Sequence, residues 1–483
     1  MGQRSENIAI LLLFVLIFYG CTPTDQPDKK AFELFEEGRF SDARKQISLI
    51  FQKNPEKKQA GEFEILLARM DRIELDFSKT EPEIKQELQQ YFPELKKEKL
   101  ENWENSGKLE MRRIDGEKRY FRNAVPNLFR VDSLARQAKI SKDGETVDPL
   151  DVFCLENTAK LVECFQKGIL PEELTHQFQI DFTITLKPDA VPAGETVKCW
   201  MPFPRESLPR QKNVKLLSAN SGNYHLAENS ALQRSLYMEK KVIAGQPTVF
   251  NFSAEFETQP EWIQLSPEII QPYVTSSDLY KTHTAERPPH IDFSEEIKIL
   301  AEEITRDISS PVEKVKAIYY WINDNIPWAS ALEYSTFENI PEYVLKYRKG
   351  DCGMQTLLFM SLARVSGIPC KWQSGWMLHP GKVNLHDWCE VYYEGVGWVP
   401  LDQSFGLQNA DNKEVNEFYI SGIDGYRLIV NDEFSREFDP PKRYFRSEPI
   451  DFQRGELEWN GGNIYFDQWS YKMNVTYLNK PEL

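Results

Sequence analysis

Three residues constrain this chain more than any others. Cys352 stands in Lys349-Gly350-Asp351-Cys352-Gly353, His386 follows 34 residues later, and Asp402 follows 16 residues after that. The local pattern gives each one a place. Gly350 permits a tight turn and Asp351 can cap a helix on which Met354, Leu357, Leu358, Leu362 and Val365 recur at helical spacing, until Gly367 and Pro369 stop it. Cys352 therefore falls in the first helical turn, where unpaired N–H groups and the helix dipole favour a thiolate. His386 opens a strand-like run in which His386, Trp388 and Glu390 share one face and Asp387, Cys389 and Val391 share the other. A second run, Val396 to Leu401, ends at Asp402, and a hairpin at Glu394-Gly395 would bring Asp402 beside His386. A nucleophile, a base and an orienting carboxylate in this order are the parts needed for acyl transfer.

The segment from about Glu296 to Gly406 resembles the transglutaminase-like core, a papain-type cysteine fold. The family's Gly-Asp-Cys, Gly-Ile-Pro, His-Ala-Trp-x-Glu-Val and Gly-Trp-x-x-x-Asp elements read here as Gly350-Asp351-Cys352, Gly367-Ile368-Pro369, His386-Asp387-Trp388-Cys389-Glu390-Val391 and Gly397-Trp398 through Asp402. Two positions depart from the pattern. Asp387 replaces the usual small residue after the histidine, and Gln403-Ser404 replaces the usual Pro-Thr. The resemblance implies an α+β fold with Cys352, His386 and Asp402 as catalytic residues and a peptide or protein substrate. Trp328 or Trp388 could line the cleft, and an indole N–H could join the Cys352 backbone N–H in stabilising an oxyanion.

The core is set at 291–406. Residues 22–172 read as helical, with a tetratricopeptide-like or ordinary helical hairpin at 31–60, and could meet a protein partner. Residues 173–262 alternate apolar and polar, as in His176 to Leu186, and read as a β-sandwich. A proline-bearing linker at 263–290 and a β-rich extension at 407–483, packed around the core, complete the chain. Within that extension Asp451, Glu456, Glu458 and Asp467 suggest an acidic rim or a solvated face.

At the N-terminus, Arg4, the apolar run Ile8 to Tyr19 and Gly20-Cys21 resemble a bacterial lipoprotein signal over residues 1–21. Cleavage there would leave Cys21 as the lipid anchor, tethering the protein to a membrane at the cell envelope, periplasmic or surface-facing. The balance of 58 basic against 74 acidic residues, a net charge of −16, argues against nucleic acid as a partner. The seven cysteines show no metal-ligand spacing, so no metal and no cofactor are implied. Three functions remain open: a hydrolase of peptide or amide bonds, a protein-crosslinking transglutaminase, and a catalytically silent binding or scaffold protein of the envelope.

Overall fold

The computed structural model describes residues 27–55 and 61–479, so the signal-like segment and Cys21 lie outside the described residues. The chain divides into two compact units, one up to Met70 with Ile114–Gly116 and one of Asp71–Arg113 with the residues from Glu117 onward. In the first unit, helices Pro27–Glu36 and Phe40–Lys53 form a hairpin turned at Gly38, whose φ of 73° lies in the left-handed region. Leu34, Phe35, Phe40, Ala43, Ile47 and Ile50 bury its inner face, as the sequence spacing predicts.

The second unit holds the core, an α+β arrangement. A four-stranded antiparallel sheet has the order Gly397–Leu401, Lys382–Tyr393, Cys370–His379, Arg427–Asn431. The nucleophile helix, Cys352–Val365, packs on one face, because Leu357, Leu358, Met360 and Leu362 share a cluster with Cys370, Trp372, Cys389, Val391 and Leu401. Helix Pro311–Asn325 joins the same cluster through Val315, Ile318 and Ile322; Ser310 caps it and proline stands in its first turn. The stretch expected to be a linker is structured. It carries helix Asp278–Thr284, and Ile263, Leu265, Ile270 and Tyr273 pack against the core cluster.

Two antiparallel sheets form the sandwich. Strand His176–Leu186 alternates buried and half-buried positions along its length, so Phe178, Ile180, Phe182, Ile184 and Leu186 face one apolar layer. The extension beyond residue 407 does not simply wrap the core. Trp469–Tyr477 pairs with His176–Leu186, and Glu456–Trp459 pairs with Thr196–Pro202, so the last strands complete the two sandwich sheets. Strand Arg427–Asn431 instead closes the edge of the core sheet. Open strand edges need partners, and periodicity alone does not say which sheet supplies them.

Candidate active site

Asp351 builds the start of the nucleophile helix. Its Oδ1 accepts the Met354 N–H at 3.1 Å and the Tyr334 hydroxyl at 2.5 Å. Gly353 leaves no room for a larger residue: a Cβ there would sit 2.3 Å from Tyr334 Oη and 2.7 Å from Asp387 Oδ2. This close approach sets Cys352, half-buried, at the wall of a cavity of about 220 Å³. Trp328, Tyr334, Asp351, Asp387, Asp451 and Arg454 also line the cavity.

The strand pleat separates the two residues expected to meet. Asp387 turns toward the helix-packed face with Cys389 and Val391, whereas Trp388 clusters with Ile423 and Ile429 on the reverse. The Cys352 thiol donates to Asp387 Oδ2 at 3.3 Å. His386 directs Nε2 to Asp402 Oδ2 at 2.7 Å and stacks near Trp388 and Phe405. Thus the structure brings His386 and Asp402 together, while the hydrogen bond of Cys352 goes to the neighbouring residue.

The His386–Asp402 pair is deeply set. Asp402 Oδ1 accepts the Ser404 and Phe405 N–H groups at 3.1 and 3.2 Å. Arg427 Nη2 stands 3.0 Å from Asp402 Oδ2 and 3.0 Å from Asp424 Oδ2, with its guanidinium 4.1 Å from the Phe405 ring centre. Burial alone would raise the Asp402 pKa, but His386 and Arg427 outweigh it and hold the carboxyl below its usual range. Burial lowers His386 despite Asp402, so the ring is neutral. With Nε2–H donating to Asp402, Nδ1 is the unprotonated nitrogen that can serve as a base.

The thiol differs from the sequence expectation. Enclosure pushes the Cys352 pKa well up, and Asp387 and Asp351 add to it. The magnitudes explain why the helix end does not prevail. Burial is the larger cause and the two carboxyls add to it, whereas a helix terminus offers only about 0.3–2 kcal/mol to the thiolate.

Carboxyls that the sequence pattern did not assign dominate the cavity. Asp451 Oδ1 accepts from Ser374 Oγ at 2.6 Å, Phe452 N–H at 2.7 Å and Asn431 Nδ2 at 3.0 Å. Asp387 hydrogen-bonds to Asp451, and burial followed by the charge of Asp451 drives the Asp387 pKa well up. Asp351 is raised to about 6 and Glu448 to about 8, both chiefly by burial. The suggested acidic rim is therefore corrected. Asp451, Glu456 and Glu458 are buried, the two glutamates accepting backbone N–H groups of Ser447, Glu448, Arg443 and Tyr444, and only Asp467 is exposed. These acids find donors on their own hairpin neighbours, which a charge count cannot reveal.

The two tryptophans separate as well. Trp328, 37% exposed, lines the cavity and carries Arg130 over its ring at 4.4 Å. Trp388 does not line it: the side chain is fully buried and its N–H goes to Gln373 Oε1 at 2.8 Å, which removes it as an oxyanion donor. Asp387, which meets the thiol, was marked in the sequence only as a departure from the small residue of the family pattern. Among the described residues, no cluster of three or more His, Cys, Asp or Glu could hold a metal ion, and no helix is long and apolar enough to cross a membrane.

Four similarities to known proteins stand out. Residues 298–403 match the transglutaminase-like superfamily core. YebA of Bacillus subtilis, an uncharacterized protein, is 25% identical over 148 residues, 27% of this chain and 20% of its own length, so the chain spans about a fifth of that relative. Among solved structures, one from Cytophaga hutchinsonii, described provisionally as a cysteine protease, aligns with a TM-score of 0.41 and 16% identity over 63% of this chain and 91% of that one. The periplasmic domain of TgpA from Pseudomonas aeruginosa aligns with a TM-score of 0.25 and 14% identity over 51% and 93%. Residues 298–403 thus form a transglutaminase-like core within an α+β chain.

Proposed function

We propose, from the transglutaminase-like core at residues 298–403, that this chain is a thiol acyl-transfer enzyme that hydrolyses peptide or amide bonds at the cell envelope. The observation that carries this reading is the buried His386–Asp402 contact of 2.7 Å, which fixes one imidazole nitrogen and leaves Nδ1 as a base. Cys352 Sγ gives its proton to Nδ1 and attacks the carbonyl carbon. The first-turn N–H groups of the nucleophile helix face the developing oxyanion. The C–N bond breaks as Nδ1 returns the proton to the leaving amine. Water, deprotonated by the same nitrogen, then cleaves the thioester and restores the thiol. Because Asp387 and not His386 stands on the thiol's side of the strand, attack first requires this strand end to turn so that His386 replaces Asp387 beside Cys352.

The test is acylation by p-nitrophenyl acetate, followed by intact mass. Wild type should form an acyl adduct that Cys352→Ser and His386→Ala do not form. Acylation of wild type no faster than that of free cysteine would refute the reading. Adding a primary amine separates the crosslinking alternative, because a transamidase passes the acyl group to the amine in preference to water.

The thiol contact with Asp387 favours a second reading, a catalytically silent binding protein of the envelope. A neutral, carboxyl-bound thiol is a poor nucleophile. In either case we place the protein at the envelope, tethered through Cys21, on the strength of Arg4, the apolar run and Gly20-Cys21. Palmitate labelling that persists in Cys21→Ala would exclude this anchor.

A further inference from the structure

We propose that Asp387, backed by Asp451, gates the nucleophile: it holds Cys352 Sγ as a neutral hydrogen-bond donor, and acyl transfer begins only when the thiol leaves it for His386. The proposal rests on the hydrolase reading given above. It assigns a role to a residue that touches the reacting sulfur and that departs from the family pattern.

The geometry leaves Asp387 little freedom. Gln453 Nε2 donates to its Oδ1 at 2.7 Å and also to the His386 carbonyl at 2.9 Å, which ties the carboxyl to the strand that carries the base. Its Oδ2 faces the sulfur at 3.3 Å, in a gap that exists only because residue 353 is glycine. Behind it, Asp451 is locked by its three donors and cannot swing away. The side chain therefore has one position, and that position meets the thiol.

Chemistry makes this contact a clamp and not a base. Burial raises the Cys352 thiol as well as the Asp387 carboxyl, so the carboxyl gains no clear advantage as an acceptor of the thiol proton. A negative carboxylate beside the sulfur raises the cost of thiolate further. The imidazole, by contrast, can take the proton without placing a second negative charge beside the sulfur. Breaking S–H and forming Nδ1–H yields a thiolate–imidazolium pair, with Asp402 opposite the new positive charge.

The groups around the clamp act in the same direction. Asp351, at the helix cap, and Tyr334, hydrogen-bonded to it, face the sulfur from the helix and from the preceding loop. From the C-terminal segment come Asp451, Glu448 and Arg454, and Arg454 is bound to Glu333 at 2.6 Å. Arg446 lowers the cost of charging Asp451. The cavity cation is thus engaged with Glu333, and the carboxyls set the field at the thiol.

The experiment is alkylation of Cys352 by iodoacetamide across pH 5 to 10, in the full chain and in Asp387→Asn and Asp387→Ala. Thermal melts establish that each variant is folded, and the near-isosteric asparagine serves if alanine does not fold. Both variants should react at least about tenfold faster than wild type near pH 7, with the rate profile moved down by about one pH unit or more. A folded variant that reacts at the wild-type rate or slower would overturn the clamp. Adding His386→Ala to Asp387→Asn separates the two readings. Loss of the gain supports both the clamp and the imidazole acceptor. Retention of the gain leaves the clamp standing and removes the hydrolase reading on which His386 is the base.

Discussion

Replacing Arg427 with methionine tests whether the Asp402 site is held by charge. Arg427 is 3% exposed and stands 3.0 Å from both Asp402 and Asp424, so its removal leaves two buried carboxylates without their shared cation. Breaking one buried pair this way costs about 3–5 kcal/mol. For 483 residues at about 2.1 cal/mol/K of unfolding entropy each, 4 kcal/mol corresponds to a fall of about 4 °C in Tm. The pH dependence carries a definite sign. Both carboxyls are held below 3.8 in the folded state, so their stabilising contribution is complete above that value and is lost as pH falls through the lower folded values. The gap between wild type and Arg427→Met should be widest near pH 7 and narrow in acid, closing only below the lowered folded values. Removing one carboxylate as well, in Arg427→Met/Asp424→Asn, should recover part of the loss. Scanning calorimetry at several pH values gives the answer. A Tm within 1 °C of wild type at pH 7, or a gap that does not narrow in acid, would refute the reasoning.

Other outcomes follow from the same coordinates. Gly375→Ala should unfold the edge of the core sheet and be detected as a sharp loss of soluble protein, because its Cβ would meet the Leu428 carbonyl oxygen at 1.9 Å. Leu357→Ala, fully buried under the core sheet, should cost about 2–5 kcal/mol in urea unfolding. Lys349→Met strands Glu110, its partner at 2.9 Å, and should destabilise by about 3–5 kcal/mol, whereas Lys349→Met/Glu110→Leu should be milder. Asp402→Asn should leave the fold intact by circular dichroism and lower acylation by about three to four orders of magnitude, through loss of the imidazole tautomer.

Much of the site was legible in the chain. Asp351, the apolar spacing of Leu357, Leu358 and Leu362, and Gly367-Ile368-Pro369 specify the nucleophile helix through local rules of capping and periodicity. Alternation placed His386 and Trp388 on one face and Asp387 with Cys389 on the other, and the short Glu394-Gly395 turn brought Asp402 to His386. These are near-neighbour effects, so the sequence by itself determined them. It also showed Asp387 as a departure from its family's pattern.

The tertiary structure decided what stands around those residues. Arg427 and Asp451 reach the site from segments that carry no motif, because the C-terminal strands choose their sheets by edge complementarity across long loops. Trp388 and Trp328 look alike in the chain, yet one spends its N–H on Gln373 inside the protein and the other opens on the cavity. The partner of the Cys352 thiol was decided in the same way. Local rules set a helix terminus that favours a thiolate, and only packing enclosed the sulfur and brought buried carboxyls beside it, which together outweigh that terminus.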